Sequence, residues 1–519
     1  MRKTCAVDIL LSRFASKHLK LLNVTVLLAL ASWAVPVAAK EVLRVPLSSD
    51  IGTFDPDNGF EIGAMSAIDN VYEGLVEYEP GSTRITGRLA SSWDISADAL
   101  TYTFHLRTGV KFHDGTPLDA AAVVTSLERR RDKGLSLSYF LANVAAIKAL
   151  DSLTVTTVLR RPQSSFLDTL ASPWGPKIIS PSALRAHAAG DNASSWLNVN
   201  AVGTGPFILT EFKPGERYVL TRNDHYWGAK PFFEEVQLPV IADMSQQILQ
   251  LRQGEIDAVP RNFPLAQIAG LAANLEVTTS PSMNQFDLFV RPGSALDDKE
   301  VRDAVRAAVN PALWVEAAFG TYATCSKSIF PTIMLSPTSP DVVATDLEVA
   351  RSTISRHGKV TLTIGLFSAT SNYSRIANLL IAQLARIGVT ATASVLPPGA
   401  AFSLRQSANA PDLLLTIASP DAAHPDNQAN AFYTEKAPLN FYGRTVPEAD
   451  ELINEASPIT DVPARNALYE QASRLYIDSG VVIPLIDMRD VVVHARGLKD
   501  LGLRPVFPEG NIDFGRVRR

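Results

Sequence analysis

Gly203-Thr204-Gly205-Pro206-Phe207 opens a stretch that runs through Asn223-Asp224-His225-Tyr226-Trp227 and Pro239-Val240-Ile241-Ala242-Asp243, and closes with Gly254-Glu255-Ile256-Asp257-Ala258-Val259. The two glycines and Pro206 make a turn that feeds a strand. Asp243 carries the side-chain oxygen that caps a helix, with Gln246 three residues on, as in a capping box. Met244, Ile248 and Leu251 then recur at helical spacing, and Gly254 stops the helix. The short apolar run from Ile256 to Val259 leaves that helix for sequence of a different character, so the chain is expected to cross between two lobes here.

The chain has 519 residues, more than the roughly 250–300 at which a single core stops growing, so at least two packed units are expected. With 46% hydrophobic and 19% charged residues it has the composition of a globular protein. Its first segment stands apart. Arg2, Lys3, Arg13, Lys17 and Lys20 face one acid, Asp8; Leu21 to Val35 is apolar but too short to span a bilayer; Val37-Ala38-Ala39 supplies the small residues a signal peptidase needs. Residues 1–39 are therefore expected to be a secretory signal cleaved after Ala39, placing the mature protein in the periplasm. Removing five basic residues and one acidic residue from totals of 48 and 53 leaves 43 and 52, a net charge of −9. The concentrated basic charge that phosphate binding needs is absent, so nucleic acid is not expected as a partner. Cys5 leaves with the signal and Cys325 remains alone, so stability must come from a large core, without an internal disulfide.

Along the mature chain, Val42, Val45 and Leu47 form a first strand, followed by a loop of Asp, Asn and Gly residues from Phe54-Asp55-Pro56 to Gly63 and a helix from about Ala64 to Val71. From Thr101 to Arg107 apolar and polar residues alternate as in a half-buried strand. It ends at the turn His113-Asp114-Gly115-Thr116-Pro117. Asp119 then caps a helix whose basic end, Glu128 to Arg131, suits its dipole and solvent. Further on, Asp298 caps a helix carrying Val301, Val305 and Val309, and Thr345 with Glu348 makes a capping box. Thr361 to Phe367, the helical run Tyr373 to Ile387 and Val389 to Val395 form a strand-helix-strand unit. Pro463 starts a helix that ends at Gly480, and Val481 to Ile486 is expected to carry the chain back to the first lobe.

Seven segments in order carry a resemblance: Phe54-Asp55-Pro56, Tyr72-Glu73-Gly74-Leu75, Leu89-Ala90-Ser91-Ser92-Trp93, the block Tyr102 to Pro117, Gly203 to Phe207, Tyr226-Trp227 and Gly254-Glu255-Ile256-Asp257. From about Val42 onward the chain resembles the periplasmic solute-binding proteins of ABC importers, in the group of dipeptide- and oligopeptide-binding proteins. The resemblance implies an α/β fold of two lobes, a hinge and a ligand cleft between them. The first lobe would be residues 40–260 completed by 481–519, and the second 261–480. It also implies a monomer that binds a peptide or small molecule and hands it to an ABC permease in the inner membrane. The shared motifs themselves consist of turn formers and read as structure.

The ligand site is sought at the carboxyl end of the apolar strand Asp412 to Ile417, where open α/β sheets place ligands. In the peptide-binding relatives the loop there carries a tryptophan and then an aspartate that pairs with the peptide's amino group. Asp421 matches the aspartate, while Ala418 stands where the tryptophan would be. The candidate contacts are Asp421, Ser419, Ala418 and Asn427, with Phe60 and Glu61 from the loop after the first strand. The arginine that pairs with a dipeptide's carboxylate has no counterpart in Phe367 to Ser374, and Arg375, the nearest, is expected on an exposed helix face. No nucleophile elbow, zinc-binding helix, Walker loop or dinucleotide fingerprint occurs, so neither an enzyme nor a cofactor is expected. The seven histidines of the mature chain show no metal-ligand spacing, although His424 sits in the ligand loop. A metal chelate, an opine or a sugar derivative as ligand, and a membrane sensor in place of a permease, are the readings left open.

Overall fold

Glu73 is where the motifs of the first lobe converge. Its carboxylate is 3% exposed and receives Thr204 Oγ1 (2.7 Å), Tyr226 Oη (2.8 Å) and Trp227 Nε1 (2.8 Å), and it pairs with Arg88 Nε at 2.6 Å. Burying a carboxylate costs several kcal/mol unless its lone pairs are met. Here four donors meet them. The glycines are required by the same packing: a Cβ at Gly203 would lie 2.1 Å from the Val71 carbonyl oxygen, and one at Gly205 2.5 Å from that of Asn70. His113 closes the group by donating its backbone N–H to Gly203 O (2.9 Å) and Nε2–H to Gly205 O (3.0 Å). Burial holds its pKa down at about 4, so the ring is neutral. The motifs thus hold the fold together, as their turn-forming composition implies.

The computed structural model describes residues 40–188, 190–335, 346–397 and 399–519, of which Val42–Arg519 form one compact unit. The signal expected over residues 1–39 lies outside the described residues, as does Thr345 of the expected capping box. The helix concerned, Leu347–Arg356, is capped by Asp346, which accepts from the Glu348 N–H. Among the described residues no helix is long and apolar enough to cross a membrane.

The first lobe contains two four-stranded sheets. One orders Val42–Arg44, Glu235–Pro239, Arg217–Arg222 and Phe207–Lys213, the first pair parallel and the others antiparallel. The other orders Ala90–Ile95, Thr101–Leu106, Thr154–Leu159 and Val144–Ala149, all antiparallel, and in Thr101–Leu106 every second residue is buried, as the alternation predicts. The second lobe is built on a six-stranded sheet ordered Ala323–Cys325, Val482–Met488, Gln285–Val290, Leu413–Ala418, Thr361–Leu366 and Thr390–Val395. Its last two strands are parallel and joined by the helix Ser371–Arg386, the expected strand-helix-strand unit.

Between them lies a three-stranded antiparallel sheet in which Asp490–Ala495 pairs with both Ala258–Val259 and Leu275–Ser280. The crossing read from Ile256 to Val259 is here, and Asp257 anchors it by accepting the Arg44 N–H at 2.7 Å. One sequence expectation is corrected. The strand Val482–Met488 does not carry the chain back to the first lobe, because it pairs with Gln285–Val290 in the middle of the second-lobe sheet; the return follows it, through Asp490–Ala495. Periodicity reveals a buried strand without revealing which of two cores buries it.

A second correction concerns the helix Ala120–Asp132. Asp119 caps it as expected, accepting from the Ala122 N–H at 2.8 Å, but its basic end does not face solvent. Arg129 is 5% exposed and Arg130 wholly buried. Arg129 makes a bidentate pair with Asp55 (2.9 and 2.7 Å) and also reaches Asp57, while Arg130 Nε donates to Asp57 Oδ1 at 2.6 Å. The loop Phe54 to Gly59 is thereby pinned from below, and with it the segment that begins at Phe60.

Candidate functional site

The loop after the Leu413–Ala418 strand reaches from the second lobe onto the first. Ser419 stays with its own lobe, its hydroxyl held between the Met283 carbonyl oxygen (2.8 Å) and Asn284 Oδ1 (2.9 Å). Asp421 makes the crossing. Its Oδ2 accepts the phenol of Tyr139 at 2.5 Å, and its backbone carbonyl accepts the Ser172 hydroxyl at 2.5 Å. Two residues on, the Ala423 N–H donates to Tyr78 Oη at 2.9 Å, and Ser165 Oγ donates to Asp426 Oδ2 at 3.0 Å. The cleft is thus bridged by this loop and the start of the helix that follows it, with the Ser164 N–H donating to Ser457 O at 2.9 Å as a further contact.

Burial pushes the Asp421 carboxyl above its usual value, and the Tyr139 hydrogen bond works against that shift. Asp421 Oδ1 has no donor among the described residues. A carboxylate accepts at both oxygens, so the phenol leaves room for a second, charged donor. Burial raises Asp426 as well, with Ser457 and Ser165 holding it down.

An exposed aromatic ring, Phe60, lies on the other lobe, backed by a buried tryptophan. Ala418 is fully buried at its strand end, opposite Gln285, with its carbonyl accepting Gln428 Nε2 at 3.1 Å. Trp174 is tied to the loop through its backbone, whose N–H donates to the Ser172 hydroxyl (3.2 Å), the same hydroxyl that binds Asp421 O. Phe60 stacks on the Trp174 ring at 4.6 Å with 16° between planes, and Phe507 meets the same indole at 5.3 Å between ring centroids. Arg130 fixes the indole's backbone by donating Nη1–H to Trp174 O at 2.5 Å. Phe60 is 48% exposed, an apolar ring left on a rigid base beside the cleft.

The other expected contacts are placed less directly. Glu61 Oε2 accepts the Phe60 N–H at 3.2 Å, which ties it to the aromatic ladder. Asn427 lies in the helix Pro425–Phe432, where its Oδ1 is buried without a donor among the described residues. His424 is the cap of that helix, its Nδ1 accepting the Asp426 N–H at 3.1 Å, and burial keeps the ring neutral. Among the described residues no three His, Cys, Asp or Glu side chains converge as a metal site. Arg375 is not on an exposed face as expected: Nη1 donates to Ala318 O at 2.6 Å and the guanidinium lies 5.8 Å from the Phe319 ring. The sequence reading missed Tyr139, Ser172, Trp174 and Phe507. Of these only Trp174 carried a local signal, an aromatic set between two prolines and a glycine in Ser172-Pro173-Trp174-Gly175-Pro176.

Comparison with known proteins agrees with this architecture. Residues 84–439 match the family model of bacterial extracellular solute-binding proteins, family 5. The chain is 29% identical over 493 residues to the probable D,D-dipeptide-binding periplasmic protein DdpA of Escherichia coli K12, covering 92% of this chain and 93% of that protein. It is 26% identical over 484 residues to the glutathione-binding protein GsiB of Escherichia coli O1:K1, covering 90% and 93%. The periplasmic binding protein DppA of Helicobacter pylori, solved with the peptide STSA, superposes with a TM-score of 0.76 at 25% identity, covering 92% and 97%. Two lobes joined by a sheet, a bridged cleft and a family match over most of its length agree: the chain belongs to the family 5 extracellular solute-binding proteins, the non-enzymatic, extracytoplasmic receptors that serve ABC importers.

Proposed function

We propose that this protein captures a peptide or peptide-like solute with a free amine, held at Asp421 between the lobes, and presents it to an inner-membrane ABC permease. The observation that carries the reading is Asp421 itself: a partly desolvated carboxylate at the end of a second-lobe strand, touching the first lobe through Tyr139, with one oxygen open. The names of the relatives, a probable D,D-dipeptide-binding protein, a glutathione-binding protein and a protein solved with the peptide STSA, support the same class. Phe60, exposed and stacked on the buried Trp174, offers an apolar face for the solute's side chain or backbone. The protein acts as a monomer, without catalysis, cofactor or nucleic acid, and its mature chain begins at Lys40. The lobes meet at the strands Ala258–Val259, Leu275–Ser280 and Asp490–Ala495, which serve as the hinge. Solute that touches both lobes stabilises the closed form by its differential contacts with it.

The test is native mass spectrometry of gently purified protein to identify its cargo, followed by calorimetry with that cargo on the wild type and Asp421→Asn. Charge-assisted hydrogen bonds contribute about 1.5–3 kcal/mol, so the substitution weakens binding of an amine by roughly 10- to 150-fold. Unchanged affinity in a folded variant would remove the amine contact and with it the peptide reading.

A further inference from the structure

Tyr78 ends the first-lobe strand Val76–Tyr78, is wholly buried, and has its hydroxyl between the lobes. The oxygen accepts the Ala423 N–H of the second lobe at 2.9 Å, and the hydroxyl donates to Asp168 of the first-lobe helix Phe166–Ala171, with Oδ1 at 3.1 Å and the backbone carbonyl oxygen at 3.2 Å. A phenol has one proton, so donation to Asp168 leaves the oxygen free to accept the amide. Burial, and then the charge of Asp168, hold the phenol well above its ordinary pKa, so it stays a donor. Ala423 packs in the same apolar cluster as Tyr78, Leu170 and Ile178, a second-lobe side chain seated in a first-lobe core. Asp421 stands two residues before it, so the seat of Ala423 sets the reach of the Asp421 carboxylate.

Asp168 is held between the lobes as well. Burial pushes its carboxyl up to about 7, while the Tyr78 hydrogen bond and the charge of Arg465 work against that shift. Arg465 belongs to the second-lobe helix Val462–Ser479, and its Nε is buried without an acceptor among the described residues. Tyr102, on the strand Thr101–Leu106, is the other titratable group that feels the Asp168 charge; the strand Ile85–Gly87, packed on the same helix, brings none. Separation of the lobes withdraws Ala423 and Arg465 together and lets water reach both the hydroxyl and the carboxyl.

We propose that Tyr78 is a positioning residue for the Asp421 loop, and that with Asp168 it forms a clasp, made when the lobes close, in which Asp168 takes up a proton from solvent. In the open form water serves the Ala423 N–H and hydrates the carboxylate. In the closed form Tyr78 is the acceptor for that N–H, and an ionised Asp168 would be stripped of its water. A hydrated aspartate titrates near pH ~3.9, so between pH ~4 and 7 the open form holds Asp168 ionised and the closed form holds it protonated. Acid therefore favours closing, which weakens by up to about tenfold per unit as pH rises through that window. The proposal rests on the solute-binding reading above, and its test separates the two.

Calorimetry on the mature chain with D-alanyl-D-alanine and with glutathione, from about pH 5 to 7 in buffers of different ionisation enthalpy, reads affinity and proton uptake together. Asp168→Asn keeps an acceptor for Tyr78 and does not titrate. It is expected to take up about one proton fewer than the wild type on binding, with an affinity profile flatter by up to about tenfold per pH unit. Asp421, Asp426 and His424 are present in both proteins, so the difference belongs to Asp168. Tyr78→Phe strands the Ala423 N–H in the closed form alone and is expected to weaken binding about 5- to 100-fold. Weaker binding by Tyr78→Phe with proton uptake unaltered by Asp168→Asn is what a merely structural role gives, and it overturns the clasp; so does a Tyr78→Phe affinity within about twofold of the wild type. If Tyr78→Phe does not fold, the proton count of Asp168→Asn decides alone. Should neither compound bind, the peptide reading is what fails, and hydrogen exchange decides the clasp: faster exchange from Ser419 to His424 in Tyr78→Phe, with Leu413–Ala418 unchanged, supports it, and equal exchange overturns it.

Discussion

Asp490 shows how a single buried side chain at the hinge sets the response of the fold to pH. It is 2% exposed, accepts the Gly510 N–H at 3.3 Å through Oδ2, and has no partner for Oδ1 among the described residues. Burial first, and the charge of Glu509 second, push its pKa up to about 8. Below pH ~4 both folded and unfolded chains hold this proton, whereas between pH ~4 and 8 the unfolded chain releases it and the folded chain keeps it. Stability from this group is therefore full at low pH and lost as pH rises, by at most about 1.4 kcal/mol per unit. Asp490→Asn, neutral throughout, should gain steadily on the wild type from pH 4 to 8 in urea-unfolding midpoints, and parallel pH profiles would refute the assignment. Asp168, pushed to about 7 by burial, and His113, held near 4, contribute slopes of opposite sign that cancel in the comparison. None of this was legible in the sequence, where Asp490 is one acid among many. Asp421 was legible, because it follows an apolar strand directly. Its partner Tyr139, 282 residues away, was not, since topology alone brings the two together.

Elements were legible wherever the signal was local. Asp119, Asp243 and Asp298 cap their helices as their spacing predicts, and Gly254 ends its helix with φ 76°. The helix Ala120–Asp132 marks the limit of that kind of reasoning. Glu128 to Arg131 has the composition of a solvated, dipole-matched terminus, yet Arg129 and Arg130 turn inward because Asp55 and Asp57 from a distant loop meet them. Whether a charge run is solvated depends on what the rest of the chain brings to it. This buried quartet underlies the proposed site, since the same Arg130 holds Trp174 O and the same loop leads into Phe60. Breaking a buried pair by removing one partner costs about 3–5 kcal/mol, because the other charge is stranded. Arg130→Met should therefore lower the urea-unfolding free energy by about that amount. Loss of less than ~1 kcal/mol, as for an exposed pair, would show that solvent reaches the cluster.

At the scale of the whole molecule, two lobes follow from length and from the composition change after Val259, while the boundary at the far end does not, since Val482–Met488 and Asp490–Ala495 are both apolar strands only one residue apart. The second of them is the middle strand of the hinge sheet. Beyond it, Leu498, Leu501, Leu503, Ile512, Phe514 and Val517 pack into the same core as Leu43, Phe54 and Phe207. Each such side chain contributes about 1.5–3 kcal/mol on burial, so without them the first lobe cannot offset its chain entropy. A chain ended after Arg489 should show no cooperative unfolding of the first lobe in urea, and a retained sharp transition would contradict this. The same feature bears on timing. Residues 490–519 leave the ribosome after every other part of that core, so a growing chain carries an unfinished first lobe until they have been made.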